Sequence, residues 1–417
     1  MSARDLVKNG LIVALDIGST KVSCFVARPD GTGGARVVGI GHQAASGLRN
    51  GAVVDLDSAE EAIRTAVDAA ERMAGETVRS VIVNLSGGYP WSRLVSVEVD
   101  IAGHPVGERD LARAQAQARA ACAGEEGELI HAIPAGYTVD GARGYATPLG
   151  MFGERLGVRT NIVTASPGPV RNLRLLVERT HLEVAQLVLS PYAAGLATVV
   201  EDESDLGVTV VDMGGGCTSI GVFFEGSMVH ADVIPVGGGH VTQDIARGLS
   251  TPLGHAERLK TLYGSAIAGP SDDHEMLVVP EVGDDSGQAT RDVPRSMLIG
   301  IIQPRIEETL ELVRARLRDS GAESVAGRRV VLTGGASQLT GVRELTAQVL
   351  DKQVRVGRPL RLQGLADAVA GPAFAVSAGL IAYATRGAQE LALGRYADAA
   401  AGGSRLGRLG RWLKENF

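Results

Sequence analysis

The sequence predicts an α/β chain in which one fold occurs twice, and three observations predict it. An apolar run ends in an aspartate and a glycine turn at Leu11-Ile-Val-Ala-Leu-Asp16-Ile-Gly18-Ser19-Thr20-Lys21. The same design recurs 196 positions later, at Val208-Thr-Val-Val-Asp212-Met-Gly214-Gly215-Gly216-Cys217-Thr218. A third glycine turn closes a third apolar strand at Arg329-Val-Val-Leu-Thr333-Gly334-Gly335-Ala336-Ser337. Short apolar runs punctuated by glycine read as strands entering turns. Two of them in one register, with a late third, describe two related halves around a cleft.

The elements follow in order. Strands are expected at 11–16, 22–27 and 36–42, the last two flanking a turn at 29–34. A helix is expected over 58–73, with Ser58 as N-cap and Glu61 completing a capping box. A strand at 80–85 ends in Ser86-Gly87-Gly88. Residues 89–170 read as an inserted α+β module, with a strand at 94–101, a helix at 108–123 and strand-like runs at 129–139 and 157–166. The second half repeats the opening order: strand 207–212, loop, strand 219–224, turn Glu225-Gly226, strand 227–234. A fourth glycine cluster, Gly237-Gly238-Gly239, opens a helix at 241–249. Segment 268–295 is acidic, with a short hairpin expected at 276–282. Helices are expected at 297–318 and 341–350.

The loops carry a chemistry. A phosphate needs backbone N–H groups that approach closely, and glycine permits that approach. Gly18, Gly214, Gly215 and Gly216 meet this need, and Ser19, Thr20 and Thr218 add hydroxyls. Lys21 is placed to offer a point charge to a β- or γ-phosphate. Asp16 and Asp212 end their strands at the loop mouth. Two carboxylates facing a triphosphate need a cation between them, and magnesium held largely through water is the natural one. Gly334, Gly335, Ala336 and Ser337, with Gly237 and Gly238, suit an adenosine and its α-phosphate at a helix start. Glu257 and Lys260 either reach the adenine or ribose edge or form a solvated helix face. For one loop alone the plainer reading is a tight turn whose aspartate bonds its own backbone; the three together favour the nucleotide. The P-loop and Gly-x-Gly-x-x-Gly strings are absent.

Composition excludes several classes. The chain has 417 residues, room for two or more domains, and is 45% hydrophobic but 4% aromatic, so its cores are built from Ala, Val, Leu and Ile. A net charge of −7 argues against a nucleic-acid binder. Cys24, Cys122 and Cys217 have no framework spacing and read as reduced thiols. No His/Cys cluster suggests zinc. The residues before the first strand, which include Arg4, Asp5 and Lys8, show no leader pattern, and no apolar run approaches the roughly 18 residues of a membrane span. A protein neither exported nor membrane-spanning is expected.

The end of the sequence has another character. Residues 387–403 are rich in Gly and Ala and read as a linker. In 404–417, Leu406, Leu409, Leu413 and Phe417 fall in one sector of a helix, with Trp412 at its edge. Arg408, Arg411 and Lys414 lie opposite with Glu415, and Arg405 is near the Trp412 edge. A basic amphipathic helix with an edge tryptophan suits an anionic membrane surface. Docking back on the protein's own core is the alternative. Gly407 and Gly410 weaken this helix in water, so it is expected to fold on the membrane.

At this point the residues resemble the actin, sugar-kinase and DnaK-type chaperone superfamily. Asp16-Ile-Gly-Ser-Thr-Lys21 looks like its first phosphate loop, Asp212-Met-Gly-Gly-Gly-Cys-Thr218 its second and Leu332-Thr-Gly-Gly-Ala-Ser337 its adenosine motif. Pro191-Tyr-Ala-Ala-Gly-Leu-Ala197 and Ala375-Val-Ser-Ala-Gly-Leu-Ile-Ala-Tyr383 look like the two connecting helices. More narrowly, the chain is similar to the FtsA family of bacterial cell-division proteins over roughly 8–390 and the tail. Supporting stretches are His131-Ala-Ile-Pro-Ala-Gly-Tyr137, Pro148-Leu-Gly150, Ile234-Pro235, Ala256-Glu-Arg-Leu-Lys260 and Ile302-Gln-Pro-Arg-Ile-Glu307.

The resemblance implies duplicated ribonuclease-H-type, actin-like domains around a nucleotide cleft. It places a first subdomain at 1–88 (continued by 171–197 and 370–386), the insert at 89–170, a second subdomain at 198–240 and 328–369, and a fourth at 241–327. The linker 387–403 and membrane-targeting helix 404–417 complete the chain. It implies ATP and Mg2+ in the cleft, polymerisation on the membrane, and tethering of FtsZ filaments to the cytoplasmic face of the inner membrane at the division site. FtsZ's C-terminal peptide and later division proteins are the implied partners. Arg291, Arg295 and Arg305 are candidates to meet that acidic peptide, or are ordinary surface charge.

Cys217 stands where many relatives have threonine. Leu189-Ser190-Pro191-Tyr192 lacks the acidic or glutamine residue that positions water in hydrolysing members, so turnover is expected to be weak or absent. The fold also serves PilM-type pilus scaffolds, MreB-like filaments and small-molecule kinases. A kinase needs a catalytic aspartate beside an acceptor pocket and no basic tail; PilM-like chains lack such a terminal anchor, and MreB-like chains usually carry theirs at the N-terminus.

Overall fold

The computed structural model describes residues 10–31, 34–122, 127–145, 147–283, 289–360 and 362–386. The expectations for 387–417, including Leu406, Arg408, Leu409, Arg411, Trp412, Leu413, Lys414 and Phe417, lie outside the described residues.

The chain opens with β1 (Ile12–Ile17), β2 (Lys21–Pro29) and β3 (Ala35–Ala44), an antiparallel meander. Every residue of β1 is buried, so the run is continuously apolar up to Asp16 because both sheet faces are covered. A small hairpin, β4 (Leu48–Arg49) with β5 (Ala52–Val53), leads to α1 (Leu56–Ala74). Ala59, Ala62, Ile63, Ala66, Val67 and Ala70 form its buried stripe. The helix starts earlier than the sequence suggests: Asp55 is the N-cap and accepts from the N–H groups of Asp57 and Ser58, while the Ser58 hydroxyl donates to the Asp55 carboxylate at 2.6 Å. Strand β6 (Ser80–Leu85) then pairs parallel to β1.

The inserted module comprises β7 (Trp91–Asp100), α2 (Glu108–Ala120), β8 (Glu128–Val139), β9 (Ala142–Tyr145) and β10 (Arg155–Ala165), in sheet order β7-β10-β8-β9. It has its own small core, from Val99, Ile101, Leu111, Val139, Leu156 and Val158. After it come α3 (Pro167–Arg179), β11 (Glu183–Leu189), which pairs parallel to β6, and α4 (Ser190–Thr198).

After α5 (Glu201–Leu206), the second half begins with the meander β12 (Val208–Met213), β13 (Thr218–Phe224) and β14 (Ser227–Ile234). It continues through α6 (Gly238–Gly248), α7 (Leu253–Tyr263), the hairpin β15 (Met276–Pro280) and β16 (Thr290–Pro294), and α8 (Arg295–Asp319). The hairpin corrects the expected 276–282 turn-back: β15 finds its partner ten residues further on. Then β17 (Arg329–Thr333), α9 (Val342–Leu350), β18 (Gln353–Val356) and α10 (Ala375–Arg386) close the fold.

The duplication is explicit in the sheets. The first runs β3-β2-β1-β6-β11 and the second β14-β13-β12-β17-β18, with the same pattern of antiparallel and parallel pairs. The two halves meet through the crossing of α4 and α10. A Cβ on Gly379 would lie 1.8 Å from the Ala193 carbonyl oxygen, so only glycine permits this approach. The insert's sheet packs on the free edge of β14, where Ser92 Oγ accepts the Ala231 N–H at 2.9 Å and Asn161 Nδ2 donates to the Met228 carbonyl at 3.0 Å. Side chains thereby cover an edge that would otherwise pair with another chain. No helix among the described residues is long and apolar enough to cross a membrane.

Candidate functional site

The two Asp–Gly loops have the same hydrogen bonding. Asp16 pairs with Ser23 across the first hairpin, and Asp212 with Ser219 across the second. Gly18 N–H donates to the Lys21 carbonyl at 2.9 Å, and Gly214 N–H to the Cys217 carbonyl at 2.9 Å. Each correspondence keeps the offset of 196. The loops face each other closely. A Cβ on Gly215 would lie 2.3 Å from Thr20 Cγ2, and one on Gly216 2.3 Å from Ser19 Oγ. The backbone N–H groups of Ser19, Thr20, Gly215 and Gly216 meet no acceptor among the described residues, although backbone donors are almost always paired. Four unspent donors on two facing tight turns are the kind of donor set an oxyanion such as a phosphate requires. The hydroxyls are divided: Ser19 Oγ accepts the Gly51 N–H at 3.1 Å, and Thr218 donates to the Val236 carbonyl at 2.8 Å.

Charge is concentrated beneath the loops. Asp16 and Asp212 are each 7% exposed. Ser377 Oγ, from α10, donates to Asp16 at 2.9 Å and lies 2.8 Å from Ser23 Oγ. Burial pushes the Asp16 carboxyl up, with Lys21 and Ser377 opposing. Burial, aided by the Asp16 charge, pushes Asp212 up to about 7. Lys21 is pulled down by burial against the attraction of both carboxylates. Its ammonium donates to the Ala373 carbonyl at 2.6 Å and lies 3.3 Å from the Phe374 ring centroid. Two buried carboxylates sharing one cation have the donor chemistry of a hard divalent ion's outer shell. Burial also drives the Cys217 thiol to about 12, so it is no nucleophile at neutral pH.

The third and fourth glycine turns close over the second loop. Gly238 and Gly239 N–H groups donate to the Gly214 and Gly215 carbonyls at 2.9 and 2.7 Å, and Gly237 N–H to His240 Nδ1 at 3.1 Å. Gly238 and Gly239 thus brace the loop with their donors, and Gly237 spends its own on His240. Gly334 has φ +86°, and a Cβ there would meet Asp212 Oδ1 and the Met213 carbonyl, both at 2.4 Å. It begins the short turn Gly335–Gln338, where Ser337 Oγ donates back to the Gly334 carbonyl at 2.7 Å. Ala336 Cβ faces Gly238. Lys260 Nζ donates to the Gly238 carbonyl at 3.0 Å, to Thr242 at 2.8 Å and to Glu257 at 2.7 Å. The sequence-read cleft residues are therefore gathered from five elements. A hollow of about 420 Å3 opens beside Ser337, Gln338, Arg343 and Arg358. A larger one of about 740 Å3 lies away from the loops, between Trp91, His230 and Arg316.

The three candidate arginines are engaged internally. Arg291 donates to the Leu249 carbonyl, Arg295 to Asp272 at 2.6 Å and the Tyr263 carbonyl at 2.8 Å, and Arg305 to Asp244 at 2.5 Å and to Glu308. Sequence reasoning missed Ser377, Asn84, Ser86 and His131. A polar residue inside the apolar run Val81-Ile-Val-Asn84-Leu85 was the one visible signal.

Known proteins are similar to this chain. A family model described as Cell division protein FtsA matches residues 209–379, and one described as the SHS2 domain inserted in FtsA matches 87–164. The chain is 45% identical over 422 residues to the cell division protein FtsA of Rhizobium meliloti (strain 1021), covering 98% of this chain and 96% of that one. Against FtsA of Escherichia coli (strain K12) it is 33% identical over 426 residues, covering 98% of each. Among solved structures, a chain of the PilM-PilN type IV pilus biogenesis complex has a TM-score of 0.64 at 17% identity, covering 89% of this chain and 98% of its own. MreB5 of Spiroplasma citri bound to ADP has a TM-score of 0.55 at 12% identity, covering 92% and 99%. These two likenesses establish the actin-like α/β fold.

Proposed function

The chain belongs to the FtsA family of cell division proteins, and on that premise we propose that it is an ATP-binding adaptor that tethers FtsZ filaments to the cytoplasmic face of the inner membrane. The single observation that carries the nucleotide reading is the pair of facing loops with four unspent N–H donors above two buried carboxylates and one lysine. The MreB5 structures of the same fold carry ADP and AMPPNP, which supports a nucleotide in the equivalent cleft.

In this reading Ser19, Thr20, Gly215 and Gly216 donate to phosphate oxygens, and Lys21 exchanges the Ala373 carbonyl for a phosphate. Gly334, Gly335, Ala336 and Ser337 back the adenosine, with Gly238, Glu257 and Lys260 at its edge. Asp16 and Asp212 hold Mg2+ through water, which neutralises the triphosphate when bound. The segment Leu189-Ser190-Pro191-Tyr192 lacks the acid or glutamine of hydrolysing members, and its Ser190 is buried and bonded to Ser86 at 2.7 Å. Turnover is therefore slow or absent, and ATP sets conformation and polymerisation rather than driving chemistry.

The tail 404–417 is the membrane anchor in this account, and the 241–327 region carries the FtsZ peptide. If Arg291, Arg295 or Arg305 meets that peptide, it does so by exchanging an internal acceptor for a partner carboxylate. The test is co-sedimentation of purified FtsZ with this protein on anionic vesicles with ATP, intact and truncated after Gly403. The proposal expects FtsZ to pellet with the intact chain alone. Protein that pellets while FtsZ stays in solution would leave the membrane claim and remove the FtsZ claim.

A further inference from the structure

Asn84 is 2% exposed in β6, and a buried amide must place up to four hydrogen bonds. Its Oδ1 accepts the Ile17 N–H at 2.6 Å, and its Nδ2 reaches Ser86 Oγ at 3.0 Å and Ser190 Oγ at 3.3 Å. The β1–β6 ladder has its last paired residues at Leu15 and Val83. Beyond that rung, the Asn84 side chain stands in for the next strand bond, on the residue between Asp16 and Gly18. In the second half the backbone ladder runs one rung further, to Asp212 and Thr333.

The partners of Asn84 lead out of the cleft. Ser86, where the chain leaves β6 for the insert, lies 2.7 Å from Ser190, the first residue of α4. The preceding N–H, of Leu189, donates to His131 Nε2 at 3.0 Å. His131 comes from β8 of the insert and is 4% exposed, edge-on to Tyr192 and Tyr383 at 5.2 and 5.9 Å. An accepting Nε2 requires a neutral imidazole, and burial, which holds His131 down to about 3, keeps it neutral. Hydrogen bonds therefore run from Ile17 through Asn84 to Ser190, and the Leu189–Ser190 peptide joins them to the Leu189 bond with His131 of the insert.

We infer that Asn84 is a positioning residue for the first nucleotide loop, and that His131, through Leu189 and Ser190, ties its setting to the inserted module. This rests on the nucleotide reading above. Occupancy of the cleft and a partner or second copy on the insert are then coupled, within the 5–150-fold range typical of linked sites.

The test measures Mg-ATP affinity of the full chain together with hydrogen–deuterium exchange over residues 16–21. His131→Phe keeps the ring and removes the acceptor; His131→Gln restores an acceptor; Ser190→Ala removes one hydroxyl with least risk to folding. The proposal expects at least fivefold weaker ATP binding and faster exchange in His131→Phe and Ser190→Ala, with His131→Gln within twofold of wild type. Should His131→Phe fail to fold, Ser190→Ala alone decides. Unchanged exchange and affinity in Ser190→Ala overturn the proposal. Wild type that fails to bind Mg-ATP while Ser190→Ala still speeds exchange refutes the nucleotide reading and leaves Asn84 as a positioning residue of the loop.

Discussion

The two Asp–Gly loops share one backbone and differ in what completes it. Both end a fully buried strand, both close with the same N–H to carbonyl bond at 2.9 Å, and both place an aspartate opposite a serine. At the position that closes the turn the first has Lys21, a buried cation that feels both carboxylates, and the second has Cys217, a buried neutral thiol. The first loop's strand is steadied by the Asn84 side chain. The second is steadied by backbone, from Gly334 on one side and the start of α6 on the other. Duplication thus preserved the hydrogen-bond frame, while the buried cation was allotted to one half and the backbone closure to the other.

The comparison can be broken at its most rigid point first. Gly334→Ala puts a Cβ at 2.4 Å from Asp212 and Met213 at a positive φ, and should destabilise the fold by about 2–4 kcal/mol. An unchanged urea midpoint would mean that the second loop is not held by backbone contact. Next is an acid response expected of the first half. The unfolded His131 imidazole takes up a proton below its ordinary value of 6.5, while the folded one resists until about 3. Its contribution is complete above pH 6.5 and is lost as pH falls from there toward 3, by roughly a few kcal/mol. His131→Phe should flatten that part of a pH–stability curve; an identical acid slope would place the sensitivity elsewhere. Smaller is Lys21→Met, expected to weaken Mg-ATP binding about tenfold, or ~1.4 kcal/mol. Cys217→Thr, the equivalent position, should stay within about twofold, since no charge changes. Equal losses at both positions would erase the asymmetry.

The frame of these loops was legible because it is local: an apolar run, an aspartate and glycines in sequence announce a strand end and a tight turn. What completes them was not. Ser377 reaches Asp16 from 361 residues away, and Asn84 reaches Ser190 from 106, separations that no periodicity encodes. The start of α1 was misplaced because Asp55 and Ser58 are both capping residues, and only the backbone decides between them. The partner of β15 was misread because the length of the intervening loop leaves no pattern. Arg291, Arg295 and Arg305 read as partner contacts or ordinary surface charge because most of the acceptors that engage them, among them Asp272 and Asp244, come from other elements.

The central claim is that the two loops clamp one Mg-nucleotide between them. Isothermal titration of the full chain with ATP, with Mg2+ and then with chelator, tests it most directly, alongside Asp16→Ala and Asp212→Ala. The account predicts one site per chain, lost with chelator and weakened by either substitution. Binding that survives both substitutions and the chelator would place the nucleotide elsewhere and contradict it.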